Sequence, residues 1–215
     1  MRFFFKSPRY SEDIDLDVQW ISRETLRKKV NNILNSTPFG DILQVRNIEI
    51  EHITEDKQTE TTQRWKLGLF VPQIESILPT KIEFSRRGLE EPLKFEMVAP
   101  EIIRTYELTP IMANYYPAEV ACVQKIRALI TRGVTQARDL FDAYILLTSR
   151  IEKITLPKEL MKNSNKVKEN ILSIEYEVFK SQVISYLEPE DQSQYESEEV
   201  WDNMRLQVIE ALNMD

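Results

Sequence analysis

Apolar and polar residues alternate in several short segments of the first half of the chain, as in strands with one buried face. The alternation is clearest over residues 9–17 (RYSEDIDLD) and 80–85 (TKIEFS). Weaker alternation predicts strands at about 43–54 and 63–71, and prolines 72 and 79 bracket the connection to the segment 80–85. The first half therefore predicts a sheet.

Helical spacing of apolar residues indicates one helix inside this sheet region and several after it. Ser22 can cap the first helix, whose predicted inner face holds Leu26, Val30, Ile33 and Leu34. The segment 117–147 predicts two helices that are separated at Gly133.

The last third of the chain continues this helical pattern. A polar link at about 151–163 precedes a predicted long helix with Val167, Ile171, Ile174 and Val178 on one side, and a final helix follows with Trp201, Met204, Val208 and Leu212. The predicted fold class is therefore α+β, with a mixed-sheet core at 1–110 and a helical region at 111–215.

Composition is that of a globular protein of one or two domains. The chain has 215 residues, of which 42% are hydrophobic, enough for a sizeable core. No apolar run reaches membrane-spanning length and no signal peptide is recognisable, so we expect a cytoplasmic protein. The lone Cys122 is expected to be a buried structural thiol.

Charge is divided unevenly along the chain. Residues 1–150 contain 21 basic and 21 acidic side chains, whereas residues 151–215 contain 7 and 14. The net charge of −7 therefore belongs to the last third, which argues against that part as a nucleic-acid clamp. A nucleic-acid partner would have to use local basic groups such as Arg86 and Arg87, which are equally well explained as turn residues before Gly88.

The strand at 9–17 has the chemistry of a divalent-cation site. Ser11, Asp13, Asp15 and Asp17 alternate with Ile14 and Leu16, so the carboxylates share one face. Carboxylates that close repel one another unless a cation lies between them. Two alternatives remain open at this point: the solvated face of an edge strand, and the Asp-x-Asp pair of a sugar-nucleotide transferase.

Further charged groups follow in a fixed order along the chain. Glu83 is a carboxylate on a second predicted strand. Lys125 and Arg132 lie off the apolar stripe of the first helix after residue 117. Asp139 and Asp142 share a face of the second helix, where Arg138 lies at the right spacing to pair with Asp142.

These segments together resemble a known family. RYSEDIDLD, KIEFS and the pair AEVACVQKIRALITR and ARDLFDAYILL resemble the AbiEii/AbiGii-type nucleotidyltransferase toxins of the polymerase-beta-like superfamily, over about residues 6–147. The resemblance implies transfer of a nucleoside monophosphate from a nucleoside triphosphate to an acceptor hydroxyl such as a tRNA 3′ end. It also implies Mg²⁺ or Mn²⁺ as cofactor and a cognate antitoxin as partner.

The resemblance also implies roles for individual residues. Asp13 and Asp15 match the metal-binding pair, and Glu83 matches the third carboxylate, which completes a second metal site or takes the proton of the attacking hydroxyl. Lys125 matches the helix lysine that contacts the triphosphate, and Asp139 and Asp142 match the acids of the last motif. Ser11, Arg132 and Arg138 are weaker candidates for nucleotide contact.

One departure from the family pattern leaves the activity open. In the family a Gly-Gly-Ser/Thr turn precedes the acid pair and cradles the phosphates, but here only residues 1–8 precede the motif and all four glycines lie after Asp15. A trimmed start and a genuine loss both explain this. The alternatives to a nucleotidyltransferase are thus a non-catalytic remnant and a phosphotransferase that modifies a protein hydroxyl.

Overall fold

The chain forms two compact units in a computed structural model that describes residues 1–74, 76–90, 92–151 and 154–212. The sheet unit comprises Ser11–Leu89, and the helical unit comprises Met1–Tyr10 together with Glu90–Asp215. The boundaries between these units differ from the predicted regions 1–110 and 111–215. The first ten residues and residues 90–110 belong to the helical unit and not to the sheet unit.

The sheet unit contains four strands and two helices. In chain order these are β1 (Asp13–Asp17), α2 (Arg23–Leu34), α3 (Thr37–Gln44), β2 (Glu49–Gln58), β3 (Thr62–Phe70) and β4 (Ile77–Ser85), with α1 (Arg2–Phe5) preceding them in the helical unit. The strands are ordered β1-β4-β3-β2; β1 and β4 run parallel and the other neighbours antiparallel. The predicted mixed sheet of an α+β protein is thereby confirmed.

The core of the sheet unit lies between α2 and one face of the sheet. Ser22 accepts a hydrogen bond from the amide of Thr25, as expected of an N-cap. Leu26, Val30 and Leu34 of α2 then pack with Trp65 and Leu67 of β3. The predicted Ile33 does not belong to this face, since its side chain is 57% exposed.

The helical unit begins with a small sheet and continues with helices. After α1 its elements are β5 (Lys94–Met97), α4 (Pro100–Thr105), β6 (Met112–Tyr115), α5 (Ala118–Thr131), α6 (Ala137–Ser149), α7 (Lys158–Lys162), α8 (Ser164–Leu172), α9 (Tyr176–Gln182), α10 (Pro189–Tyr195) and α11 (Glu198–Ala211), with a 3₁₀ turn at Ile184–Tyr186. Strands β5 and β6 pair antiparallel. Of the helices in the described part of the chain, none is long and apolar enough to cross a membrane.

Aromatic residues from three helices contribute to the core of the helical unit. Phe141 on α6, Phe179 on α9 and Trp201 on α11 are fully buried. The rings of Phe179 and Trp201 stack with centroids 4.3 Å apart. Cys122 is buried as expected, and burial raises the pKa of its thiol to about 12.

Three secondary-structure predictions were wrong, and one of them is the polar link at 151–163, which contains the helix α7. The predicted strand at 43–54 begins later, at Glu49, because Ser36 caps α3 with its hydroxyl and α3 extends to Gln44. The predicted long helix after residue 163 is divided into α8, α9 and the 3₁₀ turn. The helix α8 ends at Leu172 and α9 begins at Tyr176, and Ile174 is buried in the non-helical segment between them. The carbonyl that this break exposes accepts a hydrogen bond from the indole of Trp201.

Candidate functional site

Strand pairing places the predicted acidic residues of the sheet unit together. The parallel register of β1 and β4 sets Asp13 opposite Lys81 and Asp15 opposite Glu83. Residues paired in this way point to the same side of a sheet. Asp13, Asp15 and Glu83, which we call the carboxylate face, therefore project together from two neighbouring strands.

The opposite side of β1 is less covered than its alternation predicted. Ile14 and Leu16 are 51% and 43% exposed, although each pairs in register with an apolar residue of β4. The reason is that β1 is an edge strand, while the apolar residues of α2 pack over β3. The strand is thus more open to solvent than a half-buried strand.

Two basic side chains pair with Asp13 and Glu83 of the carboxylate face. The ammonium of Lys81 lies 2.9 Å from a carboxylate oxygen of Asp13. The guanidinium of Arg64, on β3 directly opposite Glu83, lies 2.6 Å from a Glu83 carboxylate oxygen and 3.2 Å from Asp56. Its hydrogen bond to Glu83 raises the pKa of Arg64 above the ordinary value. Neither contact was predicted from the sequence.

The donor atoms of the carboxylate face suit a hard divalent cation, but their present partners are protein cations. Carboxylate oxygens are the ligands that Mg²⁺ prefers. Within residues 1–74, 76–90, 92–151 and 154–212, no group of three or more His, Cys, Asp or Glu side chains is placed to hold a metal ion. Lys81 stands as a positive charge on Asp13, so a metal ion there would compete with its ammonium.

The helical unit brings together the second set of predicted residues. Lys125 on α5 lies 2.7 Å from Asp142 and 3.5 Å from Asp139, both on α6. Arg132, which follows α5, lies 2.7 Å from Asp139. With Arg9, these four side chains form what we call the buried ion cluster.

Arg9 is a member of this cluster that the sequence analysis missed. Its guanidinium lies 3.5 Å from the carboxylate of Asp142, and both side chains are buried. Arg9 is the first residue of the segment RYSEDIDLD, which the sequence did mark as a candidate site. Its pairing with Asp142 could not be predicted, because 133 positions separate the two residues. The predicted pairing of Arg138 with Asp142 along α6 is replaced by these contacts, since Asp142 pairs with Lys125 and Arg9 instead.

The buried ion cluster has more positive than negative charge. Three cations surround two carboxylates, and Asp142 is 0% exposed. In this cluster, the Nε of Arg9 and one carboxylate oxygen each of Asp139 and Asp142 are buried and make no hydrogen bond within the described residues, although that Asp139 oxygen lies 2.7 Å from Arg132. Buried polar atoms are normally paired with protein groups or with water. An excess of cations suits a phosphate-bearing ligand.

Two of the predicted site residues, Ser11 and Arg138, lie outside both groups. Ser11 is exposed in the loop before β1, where its hydroxyl donates to the carbonyl of Asp13 at 3.2 Å. Arg138 lies on α6 beside Asp139 but outside the ion pairs of the cluster.

Comparison with known proteins decides the family. The family model described as nucleotidyl transferase AbiEii toxin, type IV TA system, matches residues 1–213. The chain belongs to the AbiEii family. That description makes its members toxins of toxin–antitoxin systems and so implies an antitoxin partner.

Two solved structures share the fold of this AbiEii chain. JHP933 from Helicobacter pylori is 20% identical, with a TM-score of 0.51, over 95% of this chain and 78% of JHP933. A candidate nucleotidyltransferase from H. pylori is 19% identical, with a TM-score of 0.52, over 95% of this chain and 80% of that chain. No curated protein sequence matches the chain.

Proposed function

We propose that this AbiEii chain transfers a nucleoside monophosphate from a nucleoside triphosphate to the 3′ hydroxyl of an RNA, such as a tRNA. The observation that supports this most is the parallel register of β1 and β4, which sets Asp15 opposite Glu83 with Asp13 on the same face. In such a transfer the acceptor oxygen forms a bond to the α-phosphorus, the bond to the leaving pyrophosphate breaks, and the hydroxyl proton passes to a base.

The carboxylate face is proposed to hold the metal ions. Asp13 and Asp15 would be ligands of Mg²⁺ or Mn²⁺, and Glu83 would be the third ligand or the proton acceptor. A bound divalent ion supplies neutralisation of the triphosphate charge and orientation of the attacking and leaving oxygens. Lys81 must then leave Asp13, which its partly exposed position on β4 allows.

The buried ion cluster is proposed to bind the triphosphate. Lys125 is partly exposed and so can reach a ligand, while Asp142 and Asp139 beneath it fix its direction. Arg132 is the second candidate cation for the phosphates. Such electrostatic positioning provides most of the catalysis in phosphoryl transfer.

A labelling experiment tests the proposal. The chain is incubated with bulk tRNA, Mg²⁺ or Mn²⁺ and each nucleoside triphosphate, labelled either at the α- or at the γ-phosphate. We expect α-label in RNA and no γ-label, and no incorporation by the Asp13→Asn, Asp15→Asn double variant. Lys158→Ala, an exposed lysine of α7, is the control that retains activity.

Each other outcome identifies a different activity. Transfer of γ-label indicates a phosphotransferase, and label that protease removes but ribonuclease does not indicates a protein acceptor. Absence of label with every triphosphate and acceptor supports a non-catalytic remnant. A cytoplasmic location is part of the proposal, because tRNA and nucleoside triphosphates are found together there.

A further inference from the structure

Trp20 is an unusual residue of the sheet unit in both its exposure and its backbone. Its side chain is 93% exposed, more than any other large apolar side chain in the described residues. Its φ is 57°, in the left-handed region that bulky residues rarely adopt. Such strain persists only where the surrounding structure imposes it, and it is concentrated at functional sites.

The loop around Trp20 is held on both sides. Before it, the amide of Val18 donates to the carbonyl of Ser85 at 2.9 Å. After it, the guanidinium of Arg86 donates to the carbonyl of Ile21 at 2.9 Å, and Ile21 packs against the core of the sheet unit. Trp20 is therefore held outside the core by fixed neighbours on both sides.

Positive charge lies beside this loop. Besides the carbonyl of Ile21, Arg86 donates to the carbonyl of Glu60 and to the side-chain oxygen of Gln63, both at 3.3 Å. All three acceptors are neutral oxygens, two of the backbone and one of a side-chain amide. Arg87 follows directly and is exposed. Arg86 thus makes structural hydrogen bonds, whereas the side chain of Arg87 is exposed to solvent.

The surroundings of Trp20 favour a nucleic acid over a protein as ligand. The exposed residues that flank it are Gln19, Ser22 and Arg23, and Arg23 pairs with Glu60 at 2.9 Å, so the indole is a single exposed ring among polar side chains. The core of a protein interface needs a contiguous apolar patch. A single aromatic ring with adjacent arginines is the arrangement that stacks an unpaired base and attracts its phosphate.

We propose that Trp20 stacks on an unpaired base of a single-stranded RNA segment, with Arg86 and Arg87 providing positive charge for the adjoining phosphate. This inference rests on the proposed transfer to RNA and adds a contact site for the acceptor. It uses residues outside both the carboxylate face and the buried ion cluster.

The three tryptophans of the chain make a direct test possible. Trp65 and Trp201 are 0% and 1% exposed, so Trp20 is the one that a ligand can reach. A single-stranded uridine 12-mer is expected to quench the tryptophan emission of the wild-type chain. With a fluorescein-labelled 12-mer, Trp20→Ala should weaken binding about fivefold to a hundredfold. Trp20→Phe should bind within about twofold of the wild type, because its ring still stacks, while the quenching disappears.

Matched variants separate stacking from other effects. Phe95→Ala removes an aromatic side chain that is 63% exposed in the helical unit, and it should leave binding unchanged. Trp20→Gly suits the left-handed backbone and should bind as weakly as Trp20→Ala without a lower melting temperature. Arg87→Gln should reduce the slope of log affinity against log salt by about 0.7.

Defined results would overturn the proposal or separate it from the proposed function. Equal binding by the wild type and Trp20→Ala rejects stacking, as does equal loss in Phe95→Ala. A 12-bp duplex bound as tightly as the single strand also rejects it. If RNA binding depends on Trp20 but no nucleotide is transferred, the stacking site is supported and the proposed transferase activity is rejected. If Trp20→Ala transfers nucleotides with unchanged Kd and KM for RNA, the transferase activity is supported and the stacking site is rejected.

Discussion

At the scale of single residues, Asp142 is a charged group that is tightly held by its neighbours. Its carboxylate is fully buried, 2.7 Å from Lys125 and 3.5 Å from Arg9. Burying a carboxylate is unfavourable unless its partners compensate the charge. Asp142 therefore makes Lys125 a structural residue as well as a candidate phosphate ligand, which the off-stripe position of Lys125 in the sequence did not indicate.

Lys125→Ala is expected to lower both stability and activity. Removing one member of a buried ion pair costs about 3–5 kcal/mol, and we expect about 2–4 kcal/mol here because Lys125 is partly exposed. Transfer should fall about tenfold to a hundredfold, as expected for a lost contact between charged groups. Chemical denaturation and the α-label assay at a temperature where the variant is folded measure the two effects.

A second substitution separates these two effects. Asp142→Asn in the Lys125→Ala background removes the carboxylate that lost its ammonium, but it also removes the partner of Arg9, so no more than about 1 kcal/mol of stability should return. Transfer should not return, because the ammonium is still missing. A Lys125→Ala variant as stable and active as Lys158→Ala would contradict both roles of Lys125.

Cys122 is expected to be unreactive in the folded chain. Burial raises the pKa of its thiol to about 12, so almost no thiolate exists at pH 8. Ellman's reagent should therefore react with one thiol in denaturant and with none within minutes under native conditions. Rapid native labelling at pH 8 would show that the α5 segment around Cys122 opens readily.

At the scale of elements, the β1–β4 pair shows what the sequence predicted and what it did not. The alternation in both segments correctly predicted two neighbouring strands with acidic residues on one face. It did not predict Arg64 and Lys81 as partners of Glu83 and Asp13, because those contacts depend on strand register. Register is set by turns and packing, which alternation alone does not specify.

Lys81 is expected to weaken metal binding to the carboxylate face. Its ammonium lies on Asp13, so Lys81→Met should lower the Kd for Mn²⁺ roughly fivefold, equivalent to about 1 kcal/mol for a partly exposed ion pair. Lys66→Met is the matched control, since Lys66 lies on β3 and pairs with Asp56 at 2.7 Å. Isothermal titration calorimetry measures the three affinities.

The results of this titration discriminate between explanations. Equal affinities in the wild type and both variants would show that Lys81 does not compete with the ion. Tighter binding in both variants would show a general effect of net charge. If Asp13→Asn with Asp15→Asn leaves Mn²⁺ binding intact, the ion binds elsewhere.

The helices show a second limit of sequence patterns. Ile171, Ile174 and Val178 keep helical spacing across a segment that is not helical, since the chain breaks between α8 and α9 while Ile174 remains buried. The carbonyl at the break is satisfied by Trp201, 27 residues later. The Arg9–Asp142 contact is likewise long-range. Neither could be inferred from local spacing.

At the scale of the whole molecule, the two groups of charged residues belong to two different compact units. The carboxylate face lies in the sheet unit, and the buried ion cluster lies in the helical unit. The excess of acidic residues belongs to residues 151–215, a part of the sequence that contains no member of either group. The proposed metal ligands therefore lie in the sheet unit, and the proposed phosphate-binding cations lie in the helical unit.

Growth of a bacterial host tests whether both units are needed. Because the chain belongs to a toxin family, induced expression without an antitoxin is expected to arrest growth. Asp13→Asn with Asp15→Asn in the sheet unit should restore growth, and so should Lys125→Met in the helical unit. Lys66→Met should remain toxic, and immunoblots should show that all four proteins accumulate to similar levels.

Toxicity that persists in the Asp13, Asp15 variant would mean that these two carboxylates of the carboxylate face are dispensable. If Lys125→Met stays toxic while the Asp13, Asp15 variant does not, the proposed metal ligands are supported and the proposed phosphate contact of Lys125 is rejected.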